Sequence, residues 1–394
     1  MSANIILGVT GGIAAYKSVQ IASDLTKLNH NVYTIMTESA AEFVSPLTFH
    51  SITHLPVESK LFSTTTSEVK HIGLADKADL FLVAPATANF IAKAAAGTAD
   101  DLLTTVLLAA QAPIMIAPSM NVHMFENPIV QRNMKTLADL GYKIITPDTG
   151  YLACGYTGKG RLPAPKRFVE EVEKELTKKD LKNKKVVITA GPTRESIDPV
   201  RFLTNHSSGK MGYALAKAAS YRGATVKLIS GPSELDNPLG VELIKIETAE
   251  ELKKEVFNEF EDADIIIMAA AVSDYRPKEV SNQKIKKTDG ELVLQLDRTT
   301  DILAELGKRK KNSQLLIGFA AETENLLKNA QKKLNKKKAD YIIANDISNQ
   351  NIAFGSDQNQ VTILSEESSV KLPLAKKEKL AHKIFNYILK GQRK

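Results

Sequence analysis

The sequence predicts an α/β protein built from two Rossmann-like three-layer domains in series. Its 394 residues are too many for one ordinary hydrophobic core, and short apolar runs alternate with amphipathic segments throughout. The alternation also starts twice, because "NIILGVTGG" from Asn4 and "KKVVITAGPT" from Lys184 both look like the first strand of a nucleotide-binding domain. The charged stretch Glu170–Lys185 between them indicates a last helix and a linker. We therefore place the domains at residues 1–180 and 181–394.

In the N-terminal half, continuous apolar strands separated by helices such as Ile13–Leu28 indicate a parallel sheet covered on both faces. Such sheets bind ligands at the carboxyl ends of their strands. We therefore expect the loops Thr10–Gly12, Pro85–Asn89 and Pro118–Asn121 to converge. The predicted strands are Asn4–Thr10, Val32–Met36, Leu80–Pro85, Ile114–Pro118 and Lys143–Pro147.

The C-terminal half repeats this alternation. A polar loop is expected at Glu279–Gly290, mobile and joined to a strand at Glu291–Asp297, and a closing strand and helix at Asn359–Leu364 and Leu374–Leu389. The other predicted strands are Val186–Ala190, Thr225–Ser230, Asp264–Ala270, Leu315–Ala320 and Tyr341–Ala344. The other predicted helices are Met211–Arg222, Ala249–Phe260, Asp301–Gly307 and Glu324–Lys338.

Composition favours a soluble, cytoplasmic protein. The chain is 43% hydrophobic and 25% charged, and its first apolar run, Ile5–Leu7, is too short for a signal core or a membrane span. The single cysteine, Cys154, excludes an intramolecular disulfide and a multi-cysteine zinc site, which fits a reducing compartment. By itself, a lone thiol is more often a small buried side chain than a catalyst.

Charge is distributed unevenly along the chain. Residues 1–180 carry a net charge of −1 and the remainder carries +8, with lysine-dense stretches at Lys308–Lys311 and Lys332–Lys338. A solvated helix face, a nucleic-acid surface and a pocket for a polyanionic small molecule would each account for this excess. Since no aromatic interleaving or nucleic-acid motif accompanies the lysines, we expect no nucleic-acid partner.

Glycine-rich turns mark an anion site in the N-terminal half. "GVTGGIAAYK" places three glycines at a strand-to-helix turn, where free amides favour a phosphate. The spacing is not G-x-G-x-x-G, so a nicotinamide-dependent oxidoreductase is disfavoured, and a tight turn without a ligand stays possible. Thr87 in "VAPATANF" could bind a phosphate or a flavin, and Asn121 could bind a carboxylate or cap a helix.

Longer motifs resemble those of the flavin-dependent cysteine decarboxylases, in the same order. They are GGIAAYK (11–17), HIGLA (71–75), APATAN (84–89), PSMNVHM (118–124) and LACGYTGKGRLP (152–163), the last similar to a glycine-rich clamp over the substrate. The second half carries AGPT (190–193), TNHSSGKMG (204–212), AAAVSD (269–274) and KIKK (284–287). Nearly the whole chain resembles the bifunctional bacterial phosphopantothenoylcysteine decarboxylase/phosphopantothenate–cysteine ligases of coenzyme A biosynthesis. Members of this family commonly have a tryptophan where this chain has Phe125 and frequently a serine where it has Gly73. Neither difference removes a side chain to which a function is assigned.

For the N-terminal half the resemblance implies a flavodoxin-like flavoprotein domain that binds FMN. Decarboxylating an aliphatic cysteine carboxylate requires an electron sink, and a flavin can supply one. The resemblance assigns His71 to oxidation and decarboxylation, Asn121 to the substrate carboxylate, and Cys154 to the acid that protonates an enethiol intermediate. The implied FMN residues are Gly11, Gly12, Ile13, Thr37, Pro85, Ala86, Thr87 and Ser119.

For the C-terminal half the resemblance implies a CTP-dependent ligase that forms an acyl-cytidylate. Asp274 after a predicted strand suits Mg²⁺, Lys284 in the polar loop could reach the phosphates, and Lys333 and Lys337 share one helix face. Each of these also fits an ordinary surface charge. Asn205 is implied in the reaction of the acyl-nucleotide with cysteine. The implied CTP residues are Met268, Ala269, Ala270, Asp274, Lys284, Thr300, Asp301, Ile302, Leu303, Phe319, Lys333 and Lys337.

The resemblance also implies assembly, with trimers arranged into dodecamer-like shells through the N-terminal domain and dimers through the C-terminal domain. The expected substrates are 4′-phosphopantothenate, L-cysteine and CTP, with no membrane partner. A flavin-binding regulatory protein that has lost the reaction is the alternative of another class. The joint presence of His71, Asn121 and Cys154 argues against it.

Overall fold

The computed structural model describes residues 2–62, 70–153, 155–287, 291–322, 324–346 and 355–391. Cys154 and residues 288–290 of the expected polar loop lie outside the described residues. The chain forms two compact units, Met1–Thr177 and Lys178–Lys394, called here the N-terminal and C-terminal units. Each is an α/β sheet with helices on both faces, so the predicted pair of Rossmann-like domains is confirmed.

The N-terminal unit is built on six parallel strands in the order β3-β2-β1-β4-β5-β6. Its strands are β1 Asn4–Val9, β2 Asn31–Met36, β3 Val57–Glu58, β4 Leu80–Ala86, β5 Ile114–Pro118, β6 Lys143–Ile144, and a separate hairpin of β7 Asp148–Tyr151 and β8 Thr157–Arg161. Its helices are α1 Ala15–Lys27, α2 Glu38–Ala41, α3 Pro46–Thr53, α4 Lys70–Lys77, α5 Ala88–Ala96, α6 Leu102–Ala109, α7 Val122–Glu126, α8 Pro128–Asp139 and α9 Pro165–Leu176.

Apolar side chains alternate across the N-terminal sheet and form a core on each face. Helices α1, α3 and α9 cover one face, and α4 to α8 cover the other. Local signals set the helix ends: Thr87 caps α5, and Asp101 with Thr104 forms a capping box at α6. Because β1, β4 and β5 are adjacent and parallel, the loops at their carboxyl ends lie at one edge of the sheet.

The C-terminal unit contains an eight-stranded sheet in the order β13-β12-β9-β14-β17-β18-β20-β21, parallel up to β18 and antiparallel beyond it. Its strands are β9 Lys185–Ala190, β10 Arg194–Ser196, β11 Phe202–Thr204, β12 Thr225–Ser230, β13 Val241–Lys245, β14 Ile265–Met268, β15 Tyr275–Pro277, β16 Leu296–Arg298, β17 Leu315–Glu322, β18 Tyr341–Asp346, β19 Gln358–Asn359, β20 Val361–Leu364, β21 Ser369–Lys371 and β22 Ala375–Lys376. Its helices are α10 Lys210–Tyr221, α11 Ala249–Phe260, α12 Ile302–Arg309, α13 Leu326–Lys337 and α14 Lys377–Gly391.

The two faces of this second sheet are covered by different helices. Helices α10 and α14 pack on one face, and α11, α12 and α13 pack on the other. Three small antiparallel pairs, β10–β11, β15–β16 and β19–β22, lie outside the main sheet. The helix α11 begins with a capping box between Thr248 and Glu251, as its Ser/Thr-x-x-Glu spacing requires.

One predicted strand is wrong. We expected a strand over Glu291–Asp297, whereas only Leu296–Arg298 forms one, paired with Tyr275–Pro277. The apolar alternation that suggested the longer strand is not buried in this chain, since Leu292 and Val293 are 55% and 79% exposed. Alternation predicts a strand only where one face is covered.

Candidate active sites

Three loops meet at the carboxyl edge of the N-terminal sheet, as predicted. The Thr10 hydroxyl donates to the Pro85 carbonyl at 2.9 Å and accepts from the Thr87 amide at 3.0 Å. The Ser119 amide donates to the Ala86 carbonyl at 3.0 Å, which joins the loop after β5 to the end of β4. The loops after β1, β4 and β5 therefore form one bonded cluster.

The residues predicted to bind FMN lie on or beside these loops. Thr37 caps α2 and its amide donates to the Val9 carbonyl at 3.1 Å, at the end of β1. Gly11 lies against Ser39, because a Cβ there would be 2.3 Å from the Ser39 Cβ. The structure thus gathers Gly11, Gly12, Thr37, Pro85, Ala86, Thr87 and Ser119 at one edge, with Ile13 59% exposed beside them.

Asn121 stands at the same edge and has a structural role. Its Oδ1 accepts from the His123 amide at 2.8 Å and so caps α7, one of the two possibilities left open for this side chain. His71 is half-buried at the second position of α4, outside the bonded cluster of loops. Cys154 lies outside the described residues, so its assignment stays a prediction.

The hairpin of β7 and β8, which overlaps the predicted clamp at residues 152–163, is attached to the Asn121 loop. The Met120 amide donates to the Gly160 carbonyl at 3.1 Å, and a Cβ on Gly160 would lie 2.3 Å from the Met120 oxygen. Lys17 donates to the Leu162 carbonyl at 2.5 Å, and burial, then the charge of Arg161, lowers the pKa of this lysine. Lys17 belongs to the GGIAAYK motif, which by itself gives no sign of this contact with residue 162.

A cavity of about 940 Å³ opens at the carboxyl edge of the C-terminal sheet. Twelve of the residues predicted for ligation line it, namely Asn205, Met268, Ala269, Ala270, Asp274, Thr300, Asp301, Ile302, Leu303, Phe319, Lys333 and Lys337. These residues come from segments more than a hundred positions apart. They meet because β9, β14 and β17 are neighbours in the sheet and end at the same edge.

Polar contacts hold the walls of this cavity. The Asn205 carboxamide donates to the carbonyls of Ala271 and Val272 at 3.2 and 3.0 Å, which ties it to the loop after β14. Lys333 donates to the Phe319 carbonyl at 2.9 Å, and Lys337 forms an ion pair with Asp301. Burial lowers the pKa of Lys337, an effect that the charge of Asp274 opposes.

Lys284 is the one predicted ligase residue that does not line the cavity. It is exposed within the described part of the polar loop, residues 279–287, where no helix or strand forms. The next residue is held on both sides: the Ile285 amide donates to Asp198 at 3.1 Å, and Arg201 donates to the Ile285 carbonyl at 2.9 Å. The position of Lys284 is therefore set by Asp198 and Arg201, neither of which we had predicted.

Further cavity residues carried no interpretable signal in the sequence. Lys377 is the first residue of the last helix and Asn359 is the last residue of β19, so no local motif marks either one. The Oδ1 of Asn345 is buried and lacks a hydrogen-bond partner in the described structure. Lys210 belongs to the TNHSSGKMG motif, which by itself assigns no role to this lysine.

The described residues contain no group of three or more His, Cys, Asp or Glu side chains that could hold a metal ion. In the described part of the chain, no helix is both long enough and apolar enough to cross a membrane.

Two family profiles match the chain. The profile described as "Flavoprotein" matches residues 1–177, and the profile described as "DNA/pantothenate metabolism flavoprotein C-terminal domain" matches residues 181–392. Among solved structures, the C-terminal domain of a coenzyme A biosynthesis bifunctional protein CoaBC is 44% identical over 53% of this chain and 96% of that chain, with a TM-score of 0.46. A PPC decarboxylase variant complexed with pantothenoylaminoethenethiol is 29% identical over 44% of this chain and 97% of its own, with a TM-score of 0.39.

Curated relatives cover almost the whole chain. The "Coenzyme A biosynthesis bifunctional protein CoaBC" of Bacillus subtilis (strain 168) is 51% identical over 98% of this chain and 96% of its own length. The protein of the same description from Escherichia coli (strain K12) is 40% identical over 98% of this chain and 96% of its own. The chain therefore belongs to the CoaBC family of bifunctional coenzyme A biosynthesis enzymes, which combine a flavoprotein phosphopantothenoylcysteine decarboxylase with a phosphopantothenate–cysteine ligase.

Proposed function

We propose that this chain makes 4′-phosphopantetheine from 4′-phosphopantothenate and L-cysteine in two consecutive steps. The C-terminal unit forms 4′-phosphopantothenoylcysteine with CTP, releasing CMP and pyrophosphate, and the N-terminal unit decarboxylates that product. The observation that carries the ligase assignment is the single cavity that brings together Asn205, Asp274, Phe319, Lys333 and Lys337. The functional domains proposed are residues 1–180 and 181–394.

Amide formation needs an activated carboxyl group, and the cavity supplies groups suited to that activation. A carboxylate oxygen of the acid bonds to the α-phosphorus of CTP while the bond to the bridging oxygen breaks, and pyrophosphate leaves. The amine of cysteine then attacks the acyl carbon, loses a proton, and CMP departs. Cations around the phosphates stabilise the charge that develops in both steps. Lysines on α13 stand where they could serve this role.

Three residues receive specific roles in ligation. Asp274 is exposed in the cavity and is proposed as the protein ligand of Mg²⁺, with phosphate oxygens and waters completing the coordination. Asn205, tied to the loop after β14, is proposed to orient the acyl-nucleotide for attack by cysteine. Lys284 is proposed to steady charge during acyl transfer, which requires its loop to approach the cavity.

In the N-terminal unit the bonded loops fit the phosphate of FMN. The first three amides of α1 donate to backbone carbonyls of the preceding turn, beginning with Ala15 to Gly12 at 2.9 Å. The donors proposed for the phosphate are therefore the amides of the glycine turn itself, at Gly11 and Gly12. Bound FMN supplies the electron sink that the cysteine carboxylate lacks. We propose that Asn121 binds that carboxylate, that His71 serves oxidation and decarboxylation, and that Cys154 is the acid when the enethiol intermediate is reduced with the electrons that the flavin stored.

The proposal extends to assembly and location. Exposed apolar side chains on β11, β15 and β16, namely Phe202, Tyr275 and Leu296, support pairing of the ligase domain into dimers. Exposed Ile13, Tyr16, Phe43 and Leu47 support assembly of the decarboxylase domain into trimers and larger shells. A cytoplasmic location and a lack of nucleic-acid or membrane partners remain part of the proposal.

The deciding experiment combines product identification with one loop variant. Purified protein should release FMN on denaturation and, with 4′-phosphopantothenate, cysteine, Mg²⁺ and CTP, should yield 4′-phosphopantetheine by mass.

Lys284→Gln should reduce ligation about a hundredfold, because a cation that acts on developing charge is lost. It should spare decarboxylation of supplied 4′-phosphopantothenoylcysteine. Lys286→Gln, an exposed neighbour in the same loop, is the matched control. Equal loss of both activities would contradict the two-site assignment.

A further inference from the structure

The lysines that line the C-terminal cavity stand on opposite faces of the sheet. Lys332, Lys333, Lys336 and Lys337 belong to α13, which covers the same face as α11 and α12. Lys210 and Lys377 are the first residues of α10 and α14, which cover the other face. A ligand lying across the carboxyl edge of the sheet would therefore meet cations at both of its ends.

Lys210 and Lys377 hold one short segment between them. Lys210 donates to the Gly355 carbonyl at 2.7 Å and to the Asp357 carboxylate at 2.6 Å. Lys377 donates to the Ser356 carbonyl, and its amide donates to the Asp357 carbonyl at 2.9 Å. Each ammonium group has three N–H donors, so neither is saturated by these contacts. The pair is fixed in place and keeps capacity for an anion.

Positive charge exceeds negative charge at this corner of the cavity. Lys377 is only 9% exposed, and burial followed by repulsion from Lys210 lowers its pKa. Among the described residues, the carboxylate that pairs with Lys210 is that of Asp357, which is 80% exposed. The charge of Asp357 opposes this shift only in part, so an anion bound here would further offset the cost of burying the Lys377 ammonium.

The start of α10 adds backbone donors to the same corner. Its N-cap is Gly209 in the left-handed region, no side chain of the described residues caps it, and its first turn contains no acidic residue. Residues 207–212 all line the cavity. The first amides of a twelve-residue helix therefore accompany two ammonium groups, which is the donor set suited to phosphoryl oxygens.

We propose that Lys377, together with Lys210, binds the β- and γ-phosphates of the nucleoside triphosphate and stabilises pyrophosphate as it leaves. The inference rests on the proposed ligase function. When the carboxylate oxygen bonds to the α-phosphorus, the electron pair of the breaking bond goes to the bridging oxygen of pyrophosphate, and these cations neutralise it. Lys333 and Lys337, beside Phe319 and Asp301, remain for the nucleoside and the α-phosphate.

Two substrates could place a phosphoryl group at this corner, namely CTP and 4′-phosphopantothenate. The cations of α13 and those of α10 and α14 together line a single cavity, which suits a long polyanion such as a triphosphate. A single phosphate could contact either the lysines of α13 or those of α10 and α14, but not both groups. The test is arranged to separate the two sources.

The experiment compares CTP with CMP on the full-length protein. Lys377→Met should weaken CTP binding by about ten- to hundredfold, because a charged hydrogen bond to phosphate is lost. CMP, which lacks the β- and γ-phosphates, should bind within about twofold of wild type. Lys376→Met removes the exposed neighbouring charge and should change neither affinity. Isothermal titration gives each dissociation constant, and a thermal melt of the C-terminal fragment 178–394, compared with wild type, reports whether the variant folds.

Two further variants guard against failure of the buried substitution to fold. Lys210→Met, at a half-buried position, should show the same selective loss of CTP affinity. Asp357→Asn should bind CTP several-fold more tightly, because the carboxylate that competes for Lys210 is neutralised. Weaker CTP binding by Asp357→Asn would contradict the inference.

The outcomes separate this inference from the proposed function. Wild-type protein that releases no pyrophosphate would overturn the proposed function itself. If the wild-type protein releases pyrophosphate but both lysine variants bind CTP as tightly as wild type, only the lysine assignment is overturned. Equal loss of CTP and CMP affinity would show that these lysines do not bind the β- and γ-phosphates. A raised KM for 4′-phosphopantothenate alone would assign them to that substrate. Either result would overturn the lysine assignment.

Discussion

The Asp198 carboxylate is fully buried and accepts hydrogen bonds from four groups. These are the amides of Val200 and Arg201 at 2.8 Å each, the Arg201 guanidinium, and the Ile285 amide at 3.1 Å. The Arg201 hydrogen bonds, followed by those from the amides, hold the pKa of Asp198 well below its usual range. One carboxylate therefore positions the backbone next to Lys284.

A pH-dependent loss of stability should follow from this carboxylate. Because the folded-state pKa is depressed, its contribution is present above the unfolded-state pKa of about 3.9 and is lost as pH falls towards the folded value. Asp198→Asn should therefore lower the urea midpoint of the C-terminal unit at pH 7. The difference from wild type should shrink as pH falls below about 4.

Urea unfolding at several pH values, with Asp297→Asn as an exposed control, would measure the Asp198 effect. Ligation should also fall while decarboxylation stays unchanged, since the Lys284 loop loses its anchor. If the difference in urea midpoint between Asp198→Asn and wild type stays the same from pH 7 to pH 2, the stabilisation has a cause other than the charge of Asp198.

At the scale of elements, the hairpin of β7 and β8 owes its position to glycine. Gly160 has φ of +139° and its missing side chain lets the hairpin approach the Met120 carbonyl. Gly158 likewise packs against Val122, where a Cβ would lie 2.6 Å from the side chain. These close approaches keep the hairpin beside Asn121.

Gly160→Ala should separate the hairpin from the Asn121 loop. The added Cβ would meet a backbone oxygen that cannot move cheaply, and we expect a loss of about 1–3 kcal/mol in stability. Decarboxylation should fall at least about tenfold, because misplacement of positioning residues is costly. Ligation should be unaffected.

Gly150→Ala in the same hairpin provides the matched control. Its Cβ would approach only the flexible end of Arg161, at 3.2 Å, which can move aside. Kinetics of each half-reaction on both variants would measure the difference. Equal tolerance of the two substitutions would show that the close contact at Gly160 does not position the site.

At the scale of the whole molecule, the chain forms two compact units, and each contains a complete sheet with its own cores. Fragments 1–177 and 178–394 should therefore fold separately, since each buries its own apolar surface. We expect the first to keep flavin and decarboxylase activity and the second to keep ligase activity. An equimolar mixture assayed by product mass should retain both steps, and an insoluble or inactive fragment would show that the units depend on each other.

Much of the fold could be predicted because its causes are local. Apolar runs such as Ile114–Pro118 are long enough to form buried parallel strands, and glycine or a capping residue marks where the adjoining helices begin. The convergence of the loops after β1, β4 and β5 follows from parallel topology alone. Motif order similarly pointed to the family and to twelve residues of one cavity.

By itself, then, the sequence determined two α/β units, the loops that carry their sites and the family. Only the tertiary structure decided that Glu291–Gln295 forms no strand, that Asp198 anchors the Lys284 loop, and that Lys377 lines the ligase cavity. The physical reason is the range of the interactions. The sequence signals for strands and helices lie within a few residues of each other. Whether an apolar run is covered, and which helix end a buried lysine lies beside, depends on residues that are far apart in the sequence.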